Sequence, residues 1–313
     1  MDGVPAPVRA ARLVAWAHAT CAGLVSPDLA ADKVAADDPP HRVCGLPGAD
    51  PQSLAVVLAR LAGHSRLAAN VPIARLVLPV PGDPSGLPGP GPLTDLALEH
   101  GEVALVRLAA PVGSDLTGAA GSTQHPAQPE WFGLVPVEVP GQVQWRSYPV
   151  SSQLSGGADG YRACAVDDAR PGSVAVPAVA LPDLAQADQM LAEALREATH
   201  ALTTLDVAAP IRRAQASPTV ETGVSQLTAL RQGRLDGPAL APGYPNRAHV
   251  VLARARRLRA IVELAAADDG AALTVPEADA RRSALRMLDR AARYAEMAAV
   301  NAAAEPGTAA AGS

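Results

Sequence analysis

Residues 73–80 read Ile-Ala-Arg-Leu-Val-Leu-Pro-Val, and this short apolar run is the strongest strand signal in the chain. Two more strands are predicted around it, over 42–46 and 102–108, because both are short apolar runs bounded by turn residues. Segments of helical character over 51–62 and 93–100 lie between the three strands. Since connections that contain a helix favour parallel pairing with right-handed crossovers, this order predicts a βαβαβ parallel core.

Two further strands follow the core and show a different pattern. The runs 133–139 and 142–150 are predicted strands, and the proline-glycine dipeptide between them is typical of a turn, so they form an antiparallel hairpin. Loops rich in proline and glycine are predicted over 79–92 and 109–130. Residues 1–180 are therefore expected to fold as an α/β domain with a mixed sheet.

The remainder of the chain is predicted to be an all-α helical bundle over residues 181–304. Asp183 followed by Gln186 is a variant of the capping box, and apolar residues recur seven apart in the helix after it. One acid, Asp188, interrupts that pattern. Two later helices carry similarly narrow, alanine-rich seams, which favour close antiparallel packing. The small residues of 305–313 predict a disordered tail.

Composition excludes several classes of protein. The 313 residues are 49% apolar but only 3% aromatic, and the formal net charge of −5 provides no overall attraction to nucleic acid or anionic lipid. Lys33 is the single lysine among 26 cationic residues, so arginine fills nearly every cationic role. The cysteines, at 21, 44 and 164, are too widely separated for a metal site or a disulfide framework. We expect no metal and no cofactor.

The N-terminal segment has some features of a signal peptide. Arg9 and Arg12 precede a mostly apolar run over 13–25, but His18 interrupts the run and Asp2 lies in the leader. No stretch approaches the ~20 apolar residues of a membrane span. The expectation is a cytoplasmic protein without membrane association.

A repeated phrase supplies the candidate ligand site. Gly-Leu-Pro-Gly occurs at 45–48 and at 86–89, each time near an Asp-Pro pair. If the preceding strands are parallel neighbours, both loops open at one edge of the sheet, where α/β folds bind ligands. The alternative is ordinary turn chemistry, in which Asp50 is the N-cap of the helix over 51–62. In the ligand-binding interpretation Asp83 is the polar anchor, because no cap role explains it as readily as Asp50. The candidate residues are Gly45, Gly48, Asp50, Gly82, Asp83, Gly86 and Gly89.

Common catalytic signatures are missing from the sequence. It contains no G-x-G-x-x-G, G-x-S-x-G, H-E-x-x-H or C-x-x-C motif, and its seven histidines never fall at metal-ligand spacing. His41 opens the first strand, at the end away from the predicted crevice. Adjacent acids such as Asp37 and Asp38 point apart and are predicted to be solvated loop residues. Whether the protein is an enzyme stays open.

The densest basic patch consists of arginines that border the apolar seam of the second bundle helix. This placement predicts ion pairs with neighbouring helices, through Glu263, Asp289 or Glu296, and makes nucleic-acid binding the less favoured alternative. The arginines are Arg247, Arg254, Arg256, Arg257 and Arg259.

The Gly-Leu-Pro-Gly loops and the Arg-Ala-Ile-Val-Glu-Leu run at 259–264 resemble a functionally unassigned protein family of high-GC actinobacteria. This resemblance implies no catalytic residues. The sequence favours a non-catalytic cytoplasmic protein that acts through protein–protein contacts of the helical bundle, with a protein partner or by self-association. The alternative is a small-molecule-binding protein or enzyme that holds a small polar ligand in a crevice between loops 45–50 and 79–92.

Overall fold

A computed structural model shows the chain divided into two compact units. The α/β unit is formed by Val8–Leu181 together with Leu240–Tyr244, and the helical unit by Pro182–Ala239 with Pro245–Ala302. Within these limits the structure describes residues 8–65, 72–108, 130–150, 181–207, 240–266 and 275–302.

The described part of the α/β unit contains four helices and five strands. The helices are α1 (Arg9–Cys21), α2 (Pro27–Ala35), α3 (Leu54–Ser65) and α4 (Pro92–His100). The strands are β1 (His41–Cys44), β2 (Ala74–Val77), β3 (Val103–Leu108), β4 (Glu130–Val139) and β5 (Gln142–Val150).

The strands form one mixed sheet in the order β1-β5-β4-β3-β2. Only β1 and β5 are parallel, and the other three pairs are antiparallel. The expected α/β class with a mixed sheet and the β4-β5 hairpin are therefore confirmed. The parallel βαβαβ core is wrong, because β1 does not pair with β2, and β2 runs antiparallel to β3. Val77 lies opposite Val103, so the connection that contains α4 returns to the end of the sheet from which it left.

Helices α1 and α3 pack against the sheet, and α4 packs on β4. From α1, Leu13, Val14 and Ala17 are fully buried, and Trp145 of β5 is the largest fully buried side chain. At Gly133 of β4, a Cβ atom would overlap the side chain of Leu93 from α4. The absence of a side chain at Gly133 is therefore what allows α4 to approach the sheet so closely.

Contacts between neighbouring residues fix two helix ends in the α/β unit. The Ser26 side chain accepts a hydrogen bond from the Leu29 N–H over 3.3 Å, with Pro27 at the first helical position of α2. Gly101 adopts the left-handed conformation, with φ at 72°, and ends α4. Both helix ends depend only on neighbouring residues, so they follow from the local sequence.

The described part of the helical unit consists of three helices: α5 (Leu184–Val207), α6 (Asn246–Ala266) and α7 (Val275–Asn301). α7 packs against both of the others, whereas α5 and α6 contact each other little. The capping box is confirmed, since Asp183 and Gln186 exchange hydrogen bonds of 2.8 and 3.2 Å. Alanines fill the contacts inside the unit, among them Ala187, Ala194, Ala198, Ala248, Ala255, Ala291, Ala295 and Ala298.

Some predictions fall on other parts of the chain. The tail over 305–313 and most of the loop over 109–130 lie outside the described residues, although Glu130 itself begins β4. Within the described ranges, every helix is too short or too polar to cross a bilayer.

Candidate interaction surface

The two Gly-Leu-Pro-Gly loops do not open at a common edge of the sheet. The first follows β1 and the second follows β2, and these strands occupy opposite edges. The pairings also make β1 and β2 run in opposite directions, so the loops leave the sheet toward opposite ends. The parallel-neighbour premise behind the single crevice is therefore wrong. Ligand binding by the individual loop residues stays a prediction.

The first loop is held by its own contacts. Asp50 Oδ1 accepts a hydrogen bond from the Gly45 N–H over 3.1 Å, and Gly48 has open space beside it apart from the end of Gln52. The N-cap role predicted for Asp50 is wrong, because α3 begins at Leu54 and the Ser53 hydroxyl accepts the Val56 N–H over 3.4 Å. The Asp50 carboxylate closes the loop instead.

The second loop shows the same self-contained character. Asp83 exchanges two backbone hydrogen bonds with Val80, of 2.9 and 3.3 Å, and the Ser85 hydroxyl donates to Asp83 Oδ1 over 2.6 Å. Gly86 lies tightly against the side chain of Val77. The Gly89 carbonyl accepts the Thr94 hydroxyl, while Gly82 has open space around it. The carboxylates of Asp83 and Asp50 thus both accept hydrogen bonds from residues of their own loops.

A polar cluster lies at the start of α1, where the sequence predicted none. Asp38 accepts hydrogen bonds from Arg9 Nε and Nη2 over 2.9 and 3.1 Å, and it also binds Arg12. The Arg9 and Arg12 side chains are only 10% and 6% exposed. Burial opposes the charge on Asp38, but the two guanidinium groups outweigh it and hold the pKa of Asp38 below its usual value.

His41 completes this cluster. Trp145 Nε1 donates to His41 Nδ1 over 3.2 Å, and since an indole can only donate, the neutral ring carries its proton on Nε2. That nitrogen faces Asp38 Oδ2 at 3.5 Å. Burial lowers the pKa of His41, which favours the neutral ring.

The arrangement clamps α1 to the sheet and does not resemble an active site. A general base needs a nitrogen or carboxylate oxygen within reach of a substrate proton, yet Trp145 and the arginines already engage these groups. The prediction that Asp38 is a solvated loop acid is wrong. The signal in the sequence was the pair Arg9 and Arg12, which stand three apart and so share a face of α1.

A half-open cavity of about 520 Å³ lies where the α1–α2 turn meets α3. None of the described side chains that line it is charged. Its two hydroxyls are already used, since Thr20 donates to the Trp16 carbonyl and Ser26 caps α2. The described lining therefore contributes no carboxylate, imidazole or amine to this cavity. Elsewhere in the described ranges, no cluster of three or more His, Cys, Asp or Glu side chains could hold a metal ion.

In the helical unit, the predicted pairing of the α6 arginines is confirmed. Arg256 Nε and Arg259 Nη1 donate to the two carboxylate oxygens of Glu296 over 3.0 and 2.6 Å. Glu296 is 1% exposed, and although burial opposes its charge, the two arginines hold its pKa below the usual value. Arg259 also lies 3.8 Å from Asp289. These ion pairs join α6 to α7.

The opposite flank of α6 meets α5 at the acid that interrupts the apolar pattern. Asp188 pairs with Arg247 over 3.2 Å and with Arg254 over 3.5 Å. All three side chains are between 29% and 55% exposed. Asp188, the acid that interrupts the apolar pattern of α5, is therefore the point at which α5 contacts the basic flank of α6.

The fifth arginine differs from the other four. Arg257 is exposed and makes no hydrogen bond or ion pair with any residue, as far as the described chain shows. Val250 lies seven residues before Arg257, and Ile261 lies four residues after it. These two residues are 68% and 37% exposed. Positions three, four and seven apart lie on one helix face. We call this face the α6 stripe, formed by Arg247, Val250, Arg254, Arg257 and Ile261.

Comparison with known families agrees with this two-part organisation. Residues 10–156 match the model for the N-terminal domain of Rv1486c-like proteins, and residues 185–297 match the model for the C-terminal domain. The chain belongs to the Rv1486c-like family. The predicted resemblance to a functionally unassigned family is thereby confirmed, whereas the actinobacterial origin stays a prediction.

No curated protein matches the chain significantly, and no solved structure does either. The α6 stripe lies entirely inside the region that matches the Rv1486c-like C-terminal domain. The polar cluster around Asp38 lies inside the N-terminal match.

Proposed function

We propose that the protein is non-catalytic and acts through contacts with another protein, made by the α6 stripe of the helical unit. The observation that carries this proposal is the alignment of Val250 and Ile261, both exposed, with the unpaired Arg257 on one face. Arginine is enriched at protein interfaces, and interface centres are more apolar than the surrounding surface.

Single exposed aliphatic residues are ordinary on protein surfaces and need no explanation. Here the alignment matters more than the exposure. Val250 and Ile261 stand about three helical turns apart on the same side of α6, so one partner segment lying along the helix can cover both. A partner that covers them also removes water from Arg257, which strengthens any ion pair that this arginine forms.

The chemistry elsewhere supports a non-catalytic role. The groups of the α/β unit that most resemble catalytic ones are engaged internally, His41 with Trp145 and Asp38 with two arginines. The alanine seams, in turn, are used inside the helical unit, so a partner would bind a different surface, and the α6 stripe offers one. A cytoplasmic location is part of the proposal, supported by Cys21 and Cys44, which are free thiols.

The experiment is site-specific photocrosslinking in cells that produce the full-length protein. A benzophenone amino acid is placed at Val250, at Ile261 and, as a matched control, at Leu29, an exposed aliphatic residue of α2. We expect a discrete protein adduct from positions 250 and 261 and none from position 29. Equal labelling at all three positions, or none at 250 and 261, contradicts the proposal.

A further inference from the structure

The α6 stripe carries an excess of positive charge that the described residues of its own chain do not neutralise. It contains three arginines, at 247, 254 and 257, and among the described residues the one carboxylate paired with them is Asp188. Three positive charges against one negative charge leave an excess of two along about 21 Å of helix, counted from residue 247 to residue 261. The chain as a whole has a net charge of −5, so this face contrasts in sign with the rest of the protein.

The ion pairs of Asp188 show that the arginines of the α6 stripe bind a carboxylate from a neighbouring helix. A carboxylate on a neighbouring helix reaches two arginines that stand seven residues apart on α6. One turn further along, Arg257 presents the same group without an acid opposite it. On α5, Leu195 stands seven residues after Asp188, and its side chain is uncharged.

We infer that the partner of the α6 stripe is an acidic amphipathic helix, with aliphatic side chains for Val250 and Ile261 and carboxylates for Arg254 and Arg257. This inference rests on the proposed function. Helices that dock lengthwise present anchors three, four and seven residues apart, which is the spacing of the stripe. The aliphatic contacts supply most of the affinity, while the charge pairs select the partner and its orientation.

The test uses full-length protein and two fluorescent peptides in an anisotropy titration. The acidic probe is three heptads of Leu-Glu-Glu-Leu-Ala-Glu-Ala, and the charge-swapped probe carries lysine in place of every glutamate. We expect the acidic probe to bind and the charge-swapped probe not to bind. Affinity should fall as salt is raised, because screening weakens the charge pairs.

Variants locate the binding on the protein. Arg257→Glu should weaken binding of the acidic probe by about tenfold or more, and Val250→Asp should do the same. Arg257→Lys should retain most of the affinity, because it keeps the charge. The control is Arg282→Glu, an exposed arginine of α7 that pairs with Asp279, and it should change nothing.

Four results overturn the inference: no binding of the acidic probe, equal binding of both probes, an unchanged affinity in Arg257→Glu, or displacement of the probe by duplex DNA or phosphatidylserine vesicles. The last result identifies a general polyanion surface. If position 250 still crosslinks to a protein in cells while the acidic probe fails to bind, the proposed function stands and only the partner class is wrong.

Discussion

The hydroxyl of Tyr244 donates a hydrogen bond to Nδ1 of His18 over 2.9 Å, although 226 residues separate them in the chain. The direction follows from the other ring nitrogen, which lies 3.0 Å from the Ala74 carbonyl and must donate, because a carbonyl can only accept. Tyr244 belongs to the short segment Leu240–Tyr244, which joins the α/β unit. The α/β unit is thus completed by a segment from the region that matches the C-terminal domain of the family.

Removing this hydroxyl should destabilise the protein. Tyr244→Phe leaves Nδ1 of His18 buried without a donor, which costs about 1–3 kcal/mol of unfolding free energy. Chemical denaturation of the full-length protein measures the change. Tyr148→Phe is the control, since the Tyr148 hydroxyl makes no hydrogen bond in the described structure and is half-buried. Equal costs for both variants would contradict the assigned role of Tyr244.

His18 should also make stability depend on pH. Burial lowers the pKa of His18 to about 4, from an ordinary value of 6.5. Between these values the unfolded chain takes up a proton that the folded protein refuses, so the unfolding free energy contributed by His18 falls as pH falls from 6.5 toward 4. Nitrogen NMR of the labelled imidazole checks this directly. We expect the neutral ring at pH 5.5, and a midpoint near 6.5 would refute the burial argument.

Glu102 should have the opposite pH dependence. Its carboxylate accepts the Ala10 N–H over 2.6 Å at the start of α1, yet burial raises the pKa of Glu102 to about 7. The folded protein therefore holds a proton that the unfolded chain has released, and this contribution to stability is lost as pH rises from 4.5 to 7. Glu102→Gln should gain stability relative to wild type as pH rises through that window. The exposed Glu99→Gln serves as the control, and a parallel profile for both variants would disprove the effect.

Among the described acids of the helical unit, Glu296 should be the one whose replacement lowers the unfolding free energy most. Glu296→Gln leaves Arg256 and Arg259 partly buried without their carboxylate, and breaking such a buried pair costs about 3–5 kcal/mol. Asp188→Asn removes a pair of partly exposed ion pairs, which are worth about 0–1 kcal/mol each. Thermal unfolding of the two variants compares the effects. Similar melting temperatures would mean that Glu296 contributes no more than a surface acid.

Replacing each of two glycines with alanine should change the unfolding free energy in opposite directions. Gly133→Ala places a Cβ into the side chain of Leu93 and should cost about 1–3 kcal/mol, since overpacking forces α4 away from the sheet. Gly63→Ala meets no atom within 4 Å and lies inside helix α3, so it should stabilise the protein by about 0.5–1 kcal/mol. Denaturation midpoints test both. A stable Gly133→Ala variant would show that Leu93 can move aside without cost.

Much of the local structure was predictable, and so was one part of the candidate surface. The flanking arrangement of the α6 arginines predicted their pairing with Glu296 and Asp289, because helical spacing alone decides which side chains border a seam. The same spacing does not show which arginine is left without an acid. Arg257 differs from Arg254 only because Asp188 lies on α5 within reach of one and not of the other.

By itself, the sequence determined the β4-β5 hairpin and the capping box at Asp183, because these depend on hydrogen bonds between residues a few positions apart. Only the tertiary structure decided the direction of β2, the place of β1 beside β5, and the burial of Asp38. Each of these depends on contacts between distant segments, such as His41 opposite Val143 and Arg9 with Asp38. Local patterns are the same for parallel and antiparallel neighbours and for solvated and buried acids, so only packing tells them apart.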